Sequence, residues 1–182
     1  MKDLLTTFLS AGMIQFINIV TGILAARLLL PEGRGELMIL LLWPVLIADL
    51  GQFSMNTSVS FHVARKERSA QEIWTGAFLC ITILCPVLIG IFLLAAPSIY
   101  SGQRPEVMQL TYICVALIPT YLYALSMMSI FQGAQKFGPY NLLRSLVHFS
   151  YLGFVVLLLA FQPPSLESFV NSYVAAHVLL LG

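Results

Sequence analysis

ELMILLLWPVLIADLGQFSMNTSVSFHVARKER, residues 36–68, starts apolar and finishes basic. Leu37 to Ile47 is a run suited to hydrocarbon, with Trp43-Pro44 in its middle. Asp49 follows, and Gly51 predicts a bend. Gln52, Ser54, Asn56, Thr57, Ser58 and Ser60 then turn the chain polar before the knot Arg65-Lys66-Glu67-Arg68. As one helix, residues 36–62 would reach roughly 40 Å at about 1.5 Å per residue. The hydrocarbon core of a bilayer is only ~30 Å thick, so one end projects into water or a cavity. The polar half is that end, because polar side chains at membrane depth persist only against protein or water.

Composition agrees. Of 182 residues, 59% are hydrophobic and 9% are charged, against about 25% charged in a soluble domain. So few charges cannot cover a water-facing surface, and the chain reads as an integral membrane protein. A membrane β-barrel would show ~10-residue alternating segments. The apolar runs are span-length instead, which makes the fold all-α. A net charge of +1, with no basic patch larger than residues 65–68, argues against nucleic acid as a partner. Cys80, Cys85 and Cys114 lie in apolar runs outside any C-x-x-C pair and read as small apolar side chains. No P-loop, dinucleotide fingerprint, nucleophile elbow or metal-spaced histidine set is present, so neither a cofactor nor an enzymatic activity is expected. The run after Lys2 is too long for a cleaved signal peptide and carries Gln15 and Asn18, so it reads as a retained span.

The pattern predicts six spans, at about 4–30, 36–62, 72–97, 106–132, 139–161 and 165–182. Pro31-Glu32-Gly33-Arg34-Gly35 predicts a tight connection after the first. Ser69-Ala70-Gln71-Glu72 has the spacing of a capping box opening the third. Pro119 predicts a kink in the fourth. Pro163-Pro164 stops the fifth. The sixth meets Gly182 about 18 residues in, short of the ~20 that a span needs plus an anchor. The expectation is therefore a polytopic helical protein of five complete spans and part of a sixth. Alternating spans put Lys2, Arg65, Lys66, Arg68, Lys136 and Arg144 on one side and Arg27, Arg34 and Arg104 on the other. That bias predicts a cytoplasmic N-terminus in a multi-pass plasma-membrane protein.

The polar residues inside spans are not scattered. Thr7, Ala11, Gln15, Asn18, Gly22 and Ala25 share one helix face. The stripe fits either close helix packing or a cavity wall. Asp49, Gln52, Asn56 and Ser60 form a second stripe. Asn141, Arg144, His148 and Tyr151 form the strongest. Arg144 either snorkels to the headgroups or binds an anion, for which its planar fork of donors suits phosphate oxygens. His148 adds a donor one turn deeper, and the stripe continues past snorkelling reach. Arg144, His148, Asn141 and Tyr151, with Gln15 and Asn18, are the candidate substrate-binding residues. Asp49 is the only acid well inside a span. It is a structural partner for Arg144, a cap at the Gly51 bend, or an ion-coupling site.

Three places carry a family resemblance. Ala26-Arg27-Leu28-Leu29 is followed by Pro31 and Gly35, Asp49-Leu50-Gly51 by Arg65, and Gln132-Gly133 by Phe137. Together they resemble the polysaccharide and oligosaccharide-lipid flippases of the multidrug/oligosaccharidyl-lipid/polysaccharide exporter superfamily. The resemblance implies an N-terminal lobe of a two-lobed transporter, facing a related C-terminal lobe, or a second copy, across a cavity that opens to alternate membrane faces. Its implied partners are the lipid bilayer and a lipid-linked glycan. Cationic cavity residues would engage the glycan's pyrophosphate or acidic sugars, and Arg144 could serve so, although it matches no family motif residue. Two rivals remain: a cation-coupled multidrug exporter of the same superfamily using Asp49, and a non-transporting scaffold or homodimer.

Overall fold

The computed structural model describes residues 2–66, 68–161 and 163–180, with side chains from residue 5 onward. Glu67, Gly182 and the side chain of Lys2, all used in the sequence reading, lie outside that set. The described elements are all helices: α1 (Lys2–Leu28), α2 (Leu30–Gly51), α3 (Met55–Arg65), α4 (Ala70–Ile99), α5 (Pro105–Cys114), α6 (Leu117–Gly133), α7 (Phe137–Phe161) and α8 (Leu166–Leu179). Among the described residues, four helices are long and apolar enough to cross a membrane, counting α5–α6 as one, and the bent pair α2–α3 makes five. The protein is a polytopic helical membrane protein. The 14 residues of α8 fall short of the ~20 a span needs.

The first connection differs from the expectation. Pro31 to Gly35 are not a loop but the opening turns of α2. Only Leu29 separates α1 from α2, and Leu30 takes a left-handed φ of 61°. Proline is tolerated in a first turn because its missing N–H would have no helical partner there. Gly33 is buried, and a Cβ on it would sit 3.2 Å from Leu29 Cβ. The glycines thus permit close packing at the joint rather than a wide turn.

The bend expected at Gly51 is present. α2 and α3 meet at 51°, across Phe53 and Ser54, both left-handed with φ of 46° and 61°. Gly51 serves by lacking a side chain, since a Cβ there would lie 2.4 Å from Leu88 Cδ2 of α4. The fourth span breaks at Val115-Ala116. Val115 lies four residues before Pro119, where a proline ring displaces the carbonyl and removes its donor.

α4 buries Ala77, Ile81, Cys85, Leu88, Phe92 and Ala96 along one face. They share one core with Leu37 and Leu40 of α2, Val107 and Cys114 of α5, Leu117 and Leu122 of α6, and Phe169 and Val170 of α8. In lipid this packing holds through van der Waals contact and close approach, not through exclusion of water. α3 and α6 approach each other closely. A Cβ on Gly133 would meet the Ser60 carbonyl oxygen at 2.4 Å. α1 and α7 flank the bundle with exposed Phe8, Phe16 and Ile23, and Leu142, Phe149 and Val156, as lipid faces do.

An ion pair closes the end opposite the basic knot. Glu36, only 5% exposed, accepts from Arg104 Nε at 2.8 Å and again from Nη2. This hydrogen bonding and the carboxylate charge push the Arg104 guanidinium above its ordinary pKa. The pair fastens α2 to the start of α5.

Candidate functional site

The polar stripe of α7 faces neighbouring helices rather than lipid. Asn141 is buried, and its Nδ2 donates to Thr7 Oγ1 of α1 at 3.0 Å, while its Oδ1 has no partner. One turn on, Arg144 is half-buried and has no acidic partner among the described residues. His148 lies within electrostatic reach of both Arg144 and His177 of α8. Tyr151 packs edge-on against Tyr173 of α8, with ring centroids 5.1 Å apart. Tyr173 in turn lies 4.4 Å from the His177 ring. His177 Nδ1 is 2.9 Å from the Tyr173 carbonyl oxygen. A carbonyl only accepts, so Nδ1 carries the proton and Nε2 is left to accept. Arg144, His148, His177, Tyr173 and Tyr151 thus form a continuous row between α7 and α8.

That row ends on a cavity of about 450 Å³ between α1, α2, α7 and α8. Its polar lining comes from Asn18, Thr21, Tyr151 and Tyr173, and its apolar lining from Leu37, Met38, Leu41, Leu42 and Val45. An apolar chamber with a few converging polar groups is the usual form of a small-molecule site. Here the donors are two phenols and an amide, while the Thr21 hydroxyl donates to the Ile17 and Asn18 carbonyls and can only accept, a set that suits hydroxyl-rich ligands.

A second polar chain crosses the α2–α3 bend. Tyr121 of α6 donates to Asp49 Oδ2 at 3.4 Å, and Gln52 Nε2 donates to Asp49 Oδ1 at 3.0 Å. Asn56 Nδ2 donates to Gln52 Oε1, and Ser126 Oγ donates to Asn56 Oδ1 at 3.3 Å. Tyr121 is also within electrostatic reach of Tyr173, so this chain approaches the α7–α8 row.

The structure sorts the predicted residues. Asn18 and Tyr151 share the cavity. Arg144 and His148 stand in the row leading to it. Gln15 is exposed on α1 and absent from the cavity lining. Asn141 is engaged by Thr7, which fits the packing reading of the α1 stripe. The structure pairs Asp49 with Tyr121 and Gln52, not with Arg144. Tyr121, Tyr173, Ser126 and His177 are not among the candidates that the sequence singles out. A tyrosine pattern carries no signal of its own in an aromatic-rich membrane chain. Only the α7–α8 and α2–α6 packing singles these residues out.

Comparison with curated proteins finds no match, and comparison with solved structures finds none either. One family model, described as polysaccharide biosynthesis protein, matches residues 1–181. A match over nearly every residue, on a chain of membrane-crossing helices with a polar row turned inward, places it: the chain belongs to the polysaccharide biosynthesis protein family.

Proposed function

We propose that the protein flips a lipid-linked oligosaccharide or polysaccharide repeat unit across the plasma membrane by alternating access, its N-terminus in the cytoplasm. Family membership supplies the general role of a polysaccharide-related membrane transporter. In this reading the described helices form one lobe, and a second lobe or second copy faces the open side of the α1–α2–α8 cavity. The observation that carries the reading is Arg144. A half-buried guanidinium with no acidic partner among the described residues is expensive at membrane depth unless it meets an anion or water. A substrate's phosphate oxygens match its fork of donors. His148, Tyr151 and Asn18 then offer hydrogen bonds along the path inward, with Asn141 fixing α7 against α1.

The test is glycan export in cells carrying Arg144→Ala and Arg144→Lys, with membrane levels measured alongside. The alanine variant should lose export at an unchanged membrane level, and lysine should restore only part of it, because an ammonium lacks the planar fork. Normal export by Arg144→Ala would remove Arg144 from the mechanism.

A further inference from the structure

We infer that the basic end of the bundle holds a site for the headgroup of an anionic bilayer phospholipid, centred on Arg68. Two cavities flank this residue. One, about 420 Å³, lies between α3 and α4 and has His62, Arg68 and Glu72 at its polar mouth. The other, about 490 Å³, opens between the α3–α4 connection and the end of α6, and Lys66 and Arg68 both line it. Neither Lys66 nor Arg68 has an acidic partner among the described residues. Lys136 adds a third exposed cation on the neighbouring α6–α7 connection, against the single described carboxylate, Glu72. Charge alone would attract any anion.

The floor of the first cavity identifies the ligand class. Below the polar mouth it is mostly apolar, formed by Met55, Val59, Ile73, Ala77 and Cys80, with Ser58 the one polar side chain at that level. Ile73, Ala77 and Cys80 step along α4 away from the connection, at spacings of four and three, into the most apolar span of the chain. A slot that is cationic at the membrane–water boundary and apolar toward the membrane interior matches a phospholipid, headgroup at Arg68 and acyl chain along α4. A free phosphate would use only the mouth. Cations at a membrane surface each strengthen binding to anionic lipid by about fivefold. The site does not depend on the transport reading above.

Trp74 follows Ile73 on α4 and packs against Phe78 beside the slot rather than lining it, close enough for an acyl chain lying along α4 to quench it. The chain has two tryptophans, so Trp43→Phe leaves Trp74 alone. The protein in that background is reconstituted into phosphatidylcholine vesicles. Phosphatidylglycerol or additional phosphatidylcholine, brominated on its chains, is then titrated in while Trp74 fluorescence is followed. Phosphatidylglycerol should quench at roughly 25-fold lower mole fraction than phosphatidylcholine, about fivefold for each of Arg68 and Lys66. Arg68→Ala should reduce that preference about fivefold, and Arg68→Ala with Lys66→Ala should abolish it. Melting temperatures of the variants establish that they remain folded. Equal quenching by the two lipids would overturn the site. So would a preference that survives both substitutions. Displacement of the quencher by inorganic pyrophosphate at a concentration that leaves added phosphatidylcholine bound would reassign the mouth to soluble phosphates and overturn the lipid assignment.

Discussion

Gly133 is the position where one added methyl group should do most harm. Its Cβ would lie 2.4 Å from the Ser60 carbonyl oxygen, 3.0 Å from Ser60 Cα and 2.9 Å from Val63 Cβ. Two of these three atoms are backbone, and no rotamer change relieves them. Restoring ordinary contact requires α3 and α6 to separate by about 1 Å over their closest approach, and packed interiors resist such shifts. Overpacking of this kind costs about 1–3 kcal/mol. Replacing glycine by alanine returns at most ~0.5–1 kcal/mol of helix propensity, and less at a terminal position such as this. The net loss for Gly133→Ala is therefore about 1–2 kcal/mol, or roughly 2–8 °C in Tm for a chain of this size. Cys85 and Cys114 are buried, so a thiol-reactive fluorophore in detergent reports unfolding, while exposed Cys80 labels at the start. Gly76→Ala is the control: nothing lies within 4 Å of its added Cβ, and Tm should hold or rise. If Gly133→Ala melts at or above the parent temperature, the close approach of α3 and α6 is not as described.

Two further outcomes follow from the polar contacts. Arg104→Ala strands the buried Glu36 carboxylate, whereas Glu36→Gln leaves a half-exposed guanidinium that water can solvate. The Tm of Arg104→Ala should therefore fall further than that of Glu36→Gln, and adding Glu36→Gln to Arg104→Ala should recover part of the loss; a double variant no better than Arg104→Ala contradicts this. Asp49→Asn keeps an acceptor for Tyr121 but removes the charge, so an Asp49-coupled exporter should lose the pH dependence of its transport. Transport with normal pH dependence would confine Asp49 to bracing the α2–α3 bend.

Local chemistry was readable from sequence where one residue decides the outcome. Ser69 caps α4 by accepting from the Glu72 amide at 3.2 Å, as its spacing foretold. Pro119 breaks its span one turn upstream because a proline acts on the carbonyl four residues before it. Gly51 marks the bend. Pro31 to Gly35 misled because proline and glycine are breakers only in a helix interior; at a first turn both fit. The face of α7 was legible from the spacing of Asn141, Arg144, His148 and Tyr151, since a three-to-four-residue period survives any tertiary arrangement. Its partners were not. Tyr173 and His177 meet that face only because α8 runs back along α7. The Glu36–Arg104 and Asp49–Tyr121 contacts join residues 68 and 72 positions apart, and no periodicity reaches that far. Gln15 illustrates the opposite failure. Its spacing matches Asn18, yet it lies outside the cavity that Asn18 lines.

The Glu36–Arg104 pair also has a consequence in time. Glu36 is made 68 residues before its partner, which at ~5–20 residues per second is roughly 3–14 s of synthesis. A lone charge set into a forming helix opposes its insertion until it is neutralised or paired. For those seconds the carboxylate is held best in the hydrated headgroup layer, so α2 cannot settle to its final depth on its own. Its last step of burial waits for Arg104 to emerge, and the second span of the protein is completed only after the third.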